Sequence, residues 1–128
     1  MRFIADTHSL LWYLQDHPRL STTSRLLFDE QGQRGKIIIP TIVLAELLYI
    51  SRKIRLSSSF EKTVRLLETE ERFEIHPLSL EILKEAMKLD GFEMHDCLII
   101  ATALHLNIPL MTRDDDIVAS NLVKILPP

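Results

Sequence analysis

Four acidic residues at separate points of the chain are candidates for metal-dependent chemistry: Asp6, Glu46, Asp96 and Asp114. Each lies where a predicted strand ends or within the first turns of a predicted helix. Carboxylates packed within a few ångströms repel one another and raise each other's pKa unless cations lie among them. Oxygen ligands without cysteine favour Mg²⁺ or Mn²⁺ over zinc. If the four side chains converge, they predict a site for a hard divalent cation.

Glu46 is the acid whose sequence surroundings are hardest to explain by folding. It is the only charged residue of the segment Thr41–Ile50, for which we predict an apolar helix capped by Thr41. Burying an unpaired carboxylate costs several kcal/mol or shifts its pKa until it neutralises. The segment therefore suggests that a ligand compensates Glu46. The alternative is that Glu46 reaches solvent or pairs with Arg52 or Arg55.

The other three acids also have ordinary structural explanations. Asp6 closes the first predicted strand and is a favoured helix N-cap. Asp96 lies in the first turn of an apolar helix, where the helix dipole favours an acid. Asp114 begins a run of three aspartates that is typical of a solvated turn. These explanations do not exclude a site, because open parallel sheets bind ligands at the carboxyl ends of their strands.

The elements that must position these acids alternate between strands and helices. Short apolar runs bounded by turn signals predict three clear strands and two weaker ones: Arg2–Ala5, Lys36–Ile39 and Pro109–Thr112, then Phe73–His76 and Val123–Leu126. Helical periodicity fills the segments between them. Alternation of this kind predicts an α/β protein with a parallel sheet that helices cover on both faces.

Capping signals and apolar stripes place several of these helices. A helix is expected to open at Ser21-Thr22-Thr23, and Ser58 with Glu61 three residues later has the pattern of a capping box. The helix that follows Ser58 carries Phe60, Val64 and Leu67 on one apolar side. A further apolar side, made of Leu80, Leu83 and Met87, is predicted for the segment that ends at Gly91.

Composition limits the class of protein. The 128 residues, 46% hydrophobic and 26% charged, predict a single domain over 1–128 with one core. No leader segment and no apolar run of the roughly 20 residues needed to span a bilayer is visible, so we expect a cytoplasmic protein without a membrane segment. Cys97 is the only cysteine, which excludes an internal disulfide. A net charge of −3 argues against a broad basic surface for nucleic acid.

An acidic pocket holding one or two hard cations is suited to phosphodiester hydrolysis, because the cations activate water and stabilise the attacking and leaving oxygens. Thr7 and Thr112 are close enough in sequence to orient carboxylates or water. Arg113 could contact substrate phosphates. His8 could join the ligands, but we interpret it as an ordinary polar residue at a helix start.

Four motifs in order along essentially the whole chain resemble those of the PIN domain, of the kind found as the toxin in VapBC toxin–antitoxin systems. They are Asp6-Thr7 with the following Leu-Leu-Trp-Tyr-Leu, Ala45-Glu46-Leu47, His95-Asp96 through Ala103, and Leu110 through Asp114. The resemblance implies a three-layer α/β/α fold around a central parallel sheet and cleavage of RNA with Mg²⁺ or Mn²⁺. It also implies homodimers and a small cognate antitoxin whose C-terminal segment covers the site.

By motif position, the resemblance implies that Asp6, Glu46, Asp96 and Asp114 are the catalytic metal ligands. It adds Asp116 as a fifth acid and leaves Asp115 outside. The chain departs from the family at Cys97, where members often carry a basic residue. From these motifs we expect a metal-dependent ribonuclease acting as the toxin of a toxin–antitoxin pair.

Three rival interpretations can be compared with the same residues. A PIN-like module could bind RNA or protein without cutting, although its acids would then have no evident purpose. A phosphatase of the haloacid dehalogenase type needs a second aspartate two residues after Asp6, where this chain has His8. The pair His95-Asp96 is similar to the metal-binding dyad of the HD phosphohydrolases, but those proteins are all-helical.

Overall fold

Five parallel strands form the central sheet of the protein, in the order β3-β2-β1-β4-β5. This arrangement comes from a computed structural model that describes residues 1–128. The strands are β1 (Phe3–Ala5), β2 (Ile37–Pro40), β3 (Phe73–His76), β4 (Leu110–Met111) and β5 (Ile125–Leu126). All five predicted strands are therefore present, and the last two are shorter than the sequence pattern suggested. The predicted α/β class with a parallel sheet is confirmed.

Seven helices connect the strands. They are α1 (Thr7–Leu14), α2 (Thr22–Asp29), α3 (Thr41–Lys53), α4 (Phe60–Thr69), α5 (Leu80–Ala86), α6 (Met94–Leu106) and α7 (Asp115–Ser120). Every residue of β1, β2 and β4 is buried, which requires helices on both faces of the sheet and gives the expected three layers. No helix is both long and apolar enough to cross a bilayer.

The strand order reverses beside β1. The chain moves from β1 outward to β2 and β3, and then returns through α5 and α6 to place β4 on the other side of β1. In open parallel sheets the crevice at such a reversal is where ligands bind, because the two flanking connections leave in opposite directions. Asp6 follows β1 and Asp114 lies three residues after β4, so both acids belong to this crevice.

The core joins the sheet to α6, the most deeply buried helix. Phe3, Ile4 and Ile38 are fully buried in the strands, and residues 97 to 103 of α6 are all buried. A helix with apolar residues on nearly every side is stable only when it is covered on nearly every side. Packing of α6 in the centre therefore fixes the position of its first turn, which carries Asp96.

Two predicted helix caps are wrong by one residue. Ser59, not Ser58, caps α4 and accepts a hydrogen bond from the Lys62 backbone N–H. Three serines in a row offer equivalent oxygens, so sequence spacing alone could not select among them. Pro40 occupies the cap position of α3, and the hydroxyl of Thr41 instead accepts a hydrogen bond from the Leu78 backbone N–H.

The apolar side predicted for α5 does not face the core. Leu80, Leu83 and Met87 are 62%, 42% and 81% exposed, and the helix buries Ile82 instead. The helix ends at Ala86, several residues before Gly91. Periodicity identifies an apolar stripe but not the surface that covers it. An apolar stripe therefore remains open on the surface of the protein.

Candidate functional site

A cavity of about 440 Å³ opens at the carboxyl edge of the sheet, beside the strand reversal. Asp6, Glu46, Asp96 and Asp114 all line it, although they come from four different parts of the chain. Asp6 follows β1 and Asp114 precedes α7, while Glu46 and Asp96 project from α3 and α6. The four acids that the sequence singled out are thus brought to one cavity.

Asp6 serves the fold and the cavity at the same time. Its Oδ1 accepts a hydrogen bond of 2.8 Å from the Ser9 backbone N–H, so the predicted N-cap of α1 is confirmed. The Ser9 hydroxyl donates to the Met111 carbonyl oxygen, which ties the start of α1 to β4. The second carboxylate oxygen of Asp6 accepts no hydrogen bond within the protein. Since no buried side-chain oxygen lacks a partner, this oxygen is accessible from the cavity.

Glu46 is half-buried on α3 and is held from the neighbouring helix. The hydroxyl of Thr7 donates a short hydrogen bond to Glu46 Oε1. Thr7 is 2% exposed, so the surrounding packing restricts the orientation of its hydroxyl. Neither Arg52 nor Arg55 forms an ion pair with Glu46, and the alternative explanation of this acid by such a pair is not supported. The predicted proximity of Thr7 to a carboxylate is confirmed.

Asp96 is an acid of the cavity whose pKa is clearly raised. Burial and, after it, the nearby carboxylates of Asp114, Glu93, Glu46 and Asp6 together raise the pKa of Asp96 to about 6. Desolvation is the largest of these causes. A hydrogen bond of 3.0 Å between His95 Nδ1 and Glu93 raises the pKa of the His95 imidazole in turn. A cation in the cavity would relieve the repulsion that Asp96 experiences.

The turn after β4 presents the run of three aspartates in three different ways. The Asp114 backbone N–H donates to the Thr112 hydroxyl at 3.1 Å, and Asp114 Oδ1 caps α7 by accepting from the Ile117 backbone N–H. Asp115 also lines the cavity, whereas Asp116 is exposed and does not. The position of Asp116 therefore gives no support to its predicted role as a fifth ligand, and Asp115 lies nearer the acids than expected.

An aromatic and basic wall faces the same cavity, and sequence reasoning found only one of its members. Arg113 was expected near substrate, and it lies over the Trp12 ring with 5.2 Å from its Cζ to the ring centroid. Arg19 lies 6.0 Å from the same centroid. His8 lines the cavity as well but is exposed. Trp12 is the only tryptophan of the chain, but its type alone could not distinguish a core residue from a wall residue.

The donor chemistry of the cavity fits a hard divalent cation. No three Asp, Glu, His or Cys side chains form a group that could hold a metal ion as they stand. Ligation would therefore require the carboxylates to move closer together. All the candidate donors are nevertheless carboxylate oxygens, and the pKa of Asp96 is raised first by burial and then by the neighbouring carboxylates.

The fold and cavity define a parallel α/β protein with an acidic site at the strand reversal. The chain belongs to the PIN domain family, whose model matches residues 3–120. This match covers all four acids, and the family resemblance expected from the motifs is confirmed. Comparison with curated protein sequences gave no significant match.

Several solved structures are similar to the chain over nearly its full length. One is VapBC2 from Rickettsia felis bound to a DNA fragment from its promoter, with 20% identity, a TM-score of 0.74 and 98% of each chain covered. FitAcB from Neisseria gonorrhoeae has 16% identity and a TM-score of 0.71, covering 98% of this chain and 96% of its own. VapC20 from Mycobacterium tuberculosis, described as a toxin that cleaves the sarcin–ricin loop, has 14% identity and a TM-score of 0.72, with 98% and 99% covered. At these identities the similarity establishes the fold.

Proposed function

We propose that the protein is a ribonuclease that depends on Mg²⁺ or Mn²⁺, with its site in a single PIN domain spanning 1–128. The observation that carries the proposal is the meeting of Asp6, Glu46, Asp96 and Asp114 in one cavity at the strand reversal. A fold has no need of four acids in one cavity, because their mutual repulsion opposes folding. A site that works with bound cations does need them.

The four carboxylates would hold the cation or cations, which when bound activate water and stabilise charge on the phosphoryl oxygens. Thr7 fixes the orientation of Glu46 through its hydroxyl, and Thr112 fixes the backbone of Asp114. Arg113 contributes positive charge at the cavity wall for a substrate phosphate. The cavity offers no serine or cysteine nucleophile, so these residues suit direct attack by water.

We further propose that the protein is the toxin of a toxin–antitoxin pair and acts on RNA in the cytoplasm. The support is the PIN family match together with structural similarity to VapBC complexes from several bacteria. A small cognate antitoxin would neutralise the toxin by covering the cavity with its C-terminal segment. A short reading frame beside this one that encodes a DNA-binding protein would agree with this role.

Self-association through α5 completes the proposal. Leu80, Leu83 and Met87 are 62%, 42% and 81% exposed and lie on one apolar stripe rather than singly. Exposed apolar stripes of this kind mark protein–protein contacts. A second copy of the chain, as in the homodimers that the family resemblance implies, is the occupant we propose for it.

Three alternatives compete with this proposal. A PIN-like module that only binds RNA or protein would tolerate loss of the acids. A phosphatase of the haloacid dehalogenase type would need a second acid where the exposed His8 lies, and no acid is present at that position. The HD phosphohydrolase alternative is excluded by the parallel sheet.

Incubation of the purified protein with single-stranded and structured RNAs tests the proposal. We expect cleavage with Mg²⁺ or Mn²⁺ and none after chelation with EDTA. Binding without metal-dependent cleavage across diverse RNAs would favour the binding module and overturn the proposal.

A further inference from the structure

Two arginines beside the acids have no acidic partner. Arg2, Arg25, Arg34, Arg65 and Arg72 all form ion pairs with carboxylates elsewhere in the protein. Arg52 and Arg55 form none and lie outside the cavity. Arg19 and Arg113 also form none, but they line the same cavity as the four acids. Both guanidinium groups are therefore free to bind an anion at the cavity wall.

Trp12 holds both arginines in place. Arg19 belongs to the connection between α1 and α2, and Arg113 to the connection between β4 and α7, yet both guanidinium groups lie near the ring of Trp12 on α1. The ring is 9% exposed, so packing fixes it while leaving part of it open to the cavity. Contact with an aromatic ring orients a guanidinium without consuming its hydrogen-bond donors.

The turn that carries Arg19 is also ordered by specific contacts. The His17 imidazole stacks on Trp12 with 5.4 Å between ring centroids and 18° between the planes. Its Nδ1 accepts a hydrogen bond of 3.0 Å from the Arg19 backbone N–H. Arg25 contacts the His17 carbonyl oxygen and forms an ion pair with Asp16 in the same turn. These contacts position Arg19 toward Trp12.

We propose that Arg19 and Arg113, supported by Trp12, form an arginine clamp that binds RNA phosphates beside the bond to be cut. The inference rests on the proposed ribonuclease function and adds Arg19 and Trp12 to it. A wall of four carboxylates repels a polyanion, so the phosphates next to the cations need fixed positive charge. Guanidinium groups bind phosphate oxygens through two parallel hydrogen bonds. Trp12 is too buried to stack on a base, and it acts as a positioning residue.

Binding of a fluorescein-labelled single-stranded RNA, followed by anisotropy in EDTA over a range of salt concentrations, tests the clamp without cleavage. Arg19→Gln and Arg113→Gln should each weaken binding by about 5-fold to 20-fold and reduce the slope of log affinity against log salt by about 0.7. Arg19→Lys should retain the slope because it retains the charge. Arg34→Gln, on the opposite edge of the sheet, should change affinity less than about 2-fold.

The possible outcomes separate the clamp from the nuclease. Cleavage by the wild-type protein, with Arg19→Gln and Arg113→Gln binding RNA as well as Arg34→Gln does, would overturn the clamp and leave the nuclease intact. Arginine-dependent RNA binding without cleavage would support the clamp and refute the nuclease. Tighter arginine-dependent binding of polyglutamate than of RNA would overturn the clamp. Far-UV circular dichroism and the midpoint of thermal denaturation should be unchanged in the free variants if they fold normally.

Discussion

Two acids of the cavity, Asp6 and Asp114, serve the fold and line the cavity at the same time. Asp6 and Asp114 each use Oδ1 to cap a helix, and the second oxygen of Asp6 stays accessible from the cavity. A cap and a metal ligand are therefore compatible in one carboxylate. Because the cap fixes the side chain, it also helps to orient the oxygen that would bind a cation.

Asp96 should destabilise the metal-free protein near neutral pH. Its pKa is raised from 3.8 to about 6, so the folded protein resists an ionisation that the unfolded chain undergoes freely. The penalty is absent below about pH 4, grows as the pH rises, and is complete above about pH 6. Asp96→Asn should therefore raise the free energy of unfolding at pH 7 by about 1 to 2 kcal/mol in EDTA, after allowance for solvent screening.

Thermal denaturation of both proteins in EDTA at pH 4 and pH 7 measures this effect. The Asp96→Asn gain should be present at pH 7 and small at pH 4. Glu68→Gln, which removes an exposed charge on α4, serves as the control and should show little change at either pH. An Asp96→Asn gain that does not depend on pH would contradict the explanation.

Thr7 should affect turnover more than binding. Thr7→Val keeps the shape of a buried side chain but removes the hydroxyl that donates to Glu46. Loss of a group that orients a ligand typically costs 10-fold to 100-fold in activity, so we expect about that decrease in kcat with little change in KM. Thr7→Ser should retain most of the activity because it retains the donor. Equal losses in the valine and serine variants would show that the role of Thr7 is only packing.

At the scale of elements, the sequence predicted the existence of strands and helices better than the helix caps and the buried sides of the helices. All five strands and the helix opening at Ser21-Thr22-Thr23 were found, because turn signals and apolar runs are local properties. The predicted caps at Ser58 and Thr41 were wrong. Three adjacent serines offer equivalent oxygens near Ser58, and the Thr41 hydroxyl accepts a hydrogen bond from the backbone N–H of the distant Leu78. The prediction for the apolar side of α5 was wrong because the burial of a helix side depends on what packs against it, and periodicity does not encode that.

The exposed stripe of α5 gives a prediction about assembly. Met87→Glu places a charge at the most exposed position of the stripe, so it should dissociate the proposed dimer without lowering the stability of the monomer. Sedimentation or light scattering measures the mass directly. Leu26→Glu, at an exposed apolar residue of α2 outside the stripe, should leave the dimer intact. A wild-type protein that is monomeric at high concentration would refute this interface.

At the scale of the whole molecule, the position of the site follows from topology. Four acids far apart in sequence meet because β1 and β4 are neighbours at the strand reversal and because α3 and α6 begin at the same edge. The alternation of strands and helices allowed the meeting of the acids to be predicted. It could not predict Trp12 and Arg19, because a tryptophan on an apolar helix face and an arginine in a turn are ordinary features.

The net charge of −3 gives the site a further constraint. A protein with this charge has no general attraction for RNA, so binding must come from local positive charge. Bound cations and the arginine clamp of Arg19 and Arg113 would supply it together. We therefore regard the acidic composition as compatible with a nuclease whose substrate binds only at the cavity.

The most direct test is the rate of RNA cleavage by the wild-type protein, Asp6→Asn and Asp96→Asn, each with Mn²⁺ and each with EDTA. The wild-type protein should cleave only with metal. Each acid variant should lose at least about 100-fold in kcat, since a ligand of the catalytic cation is removed. Glu68→Gln should cleave at the wild-type rate. Cleavage that persists in EDTA, or that is undiminished in Asp6→Asn and Asp96→Asn, would contradict a metal centre built from these acids.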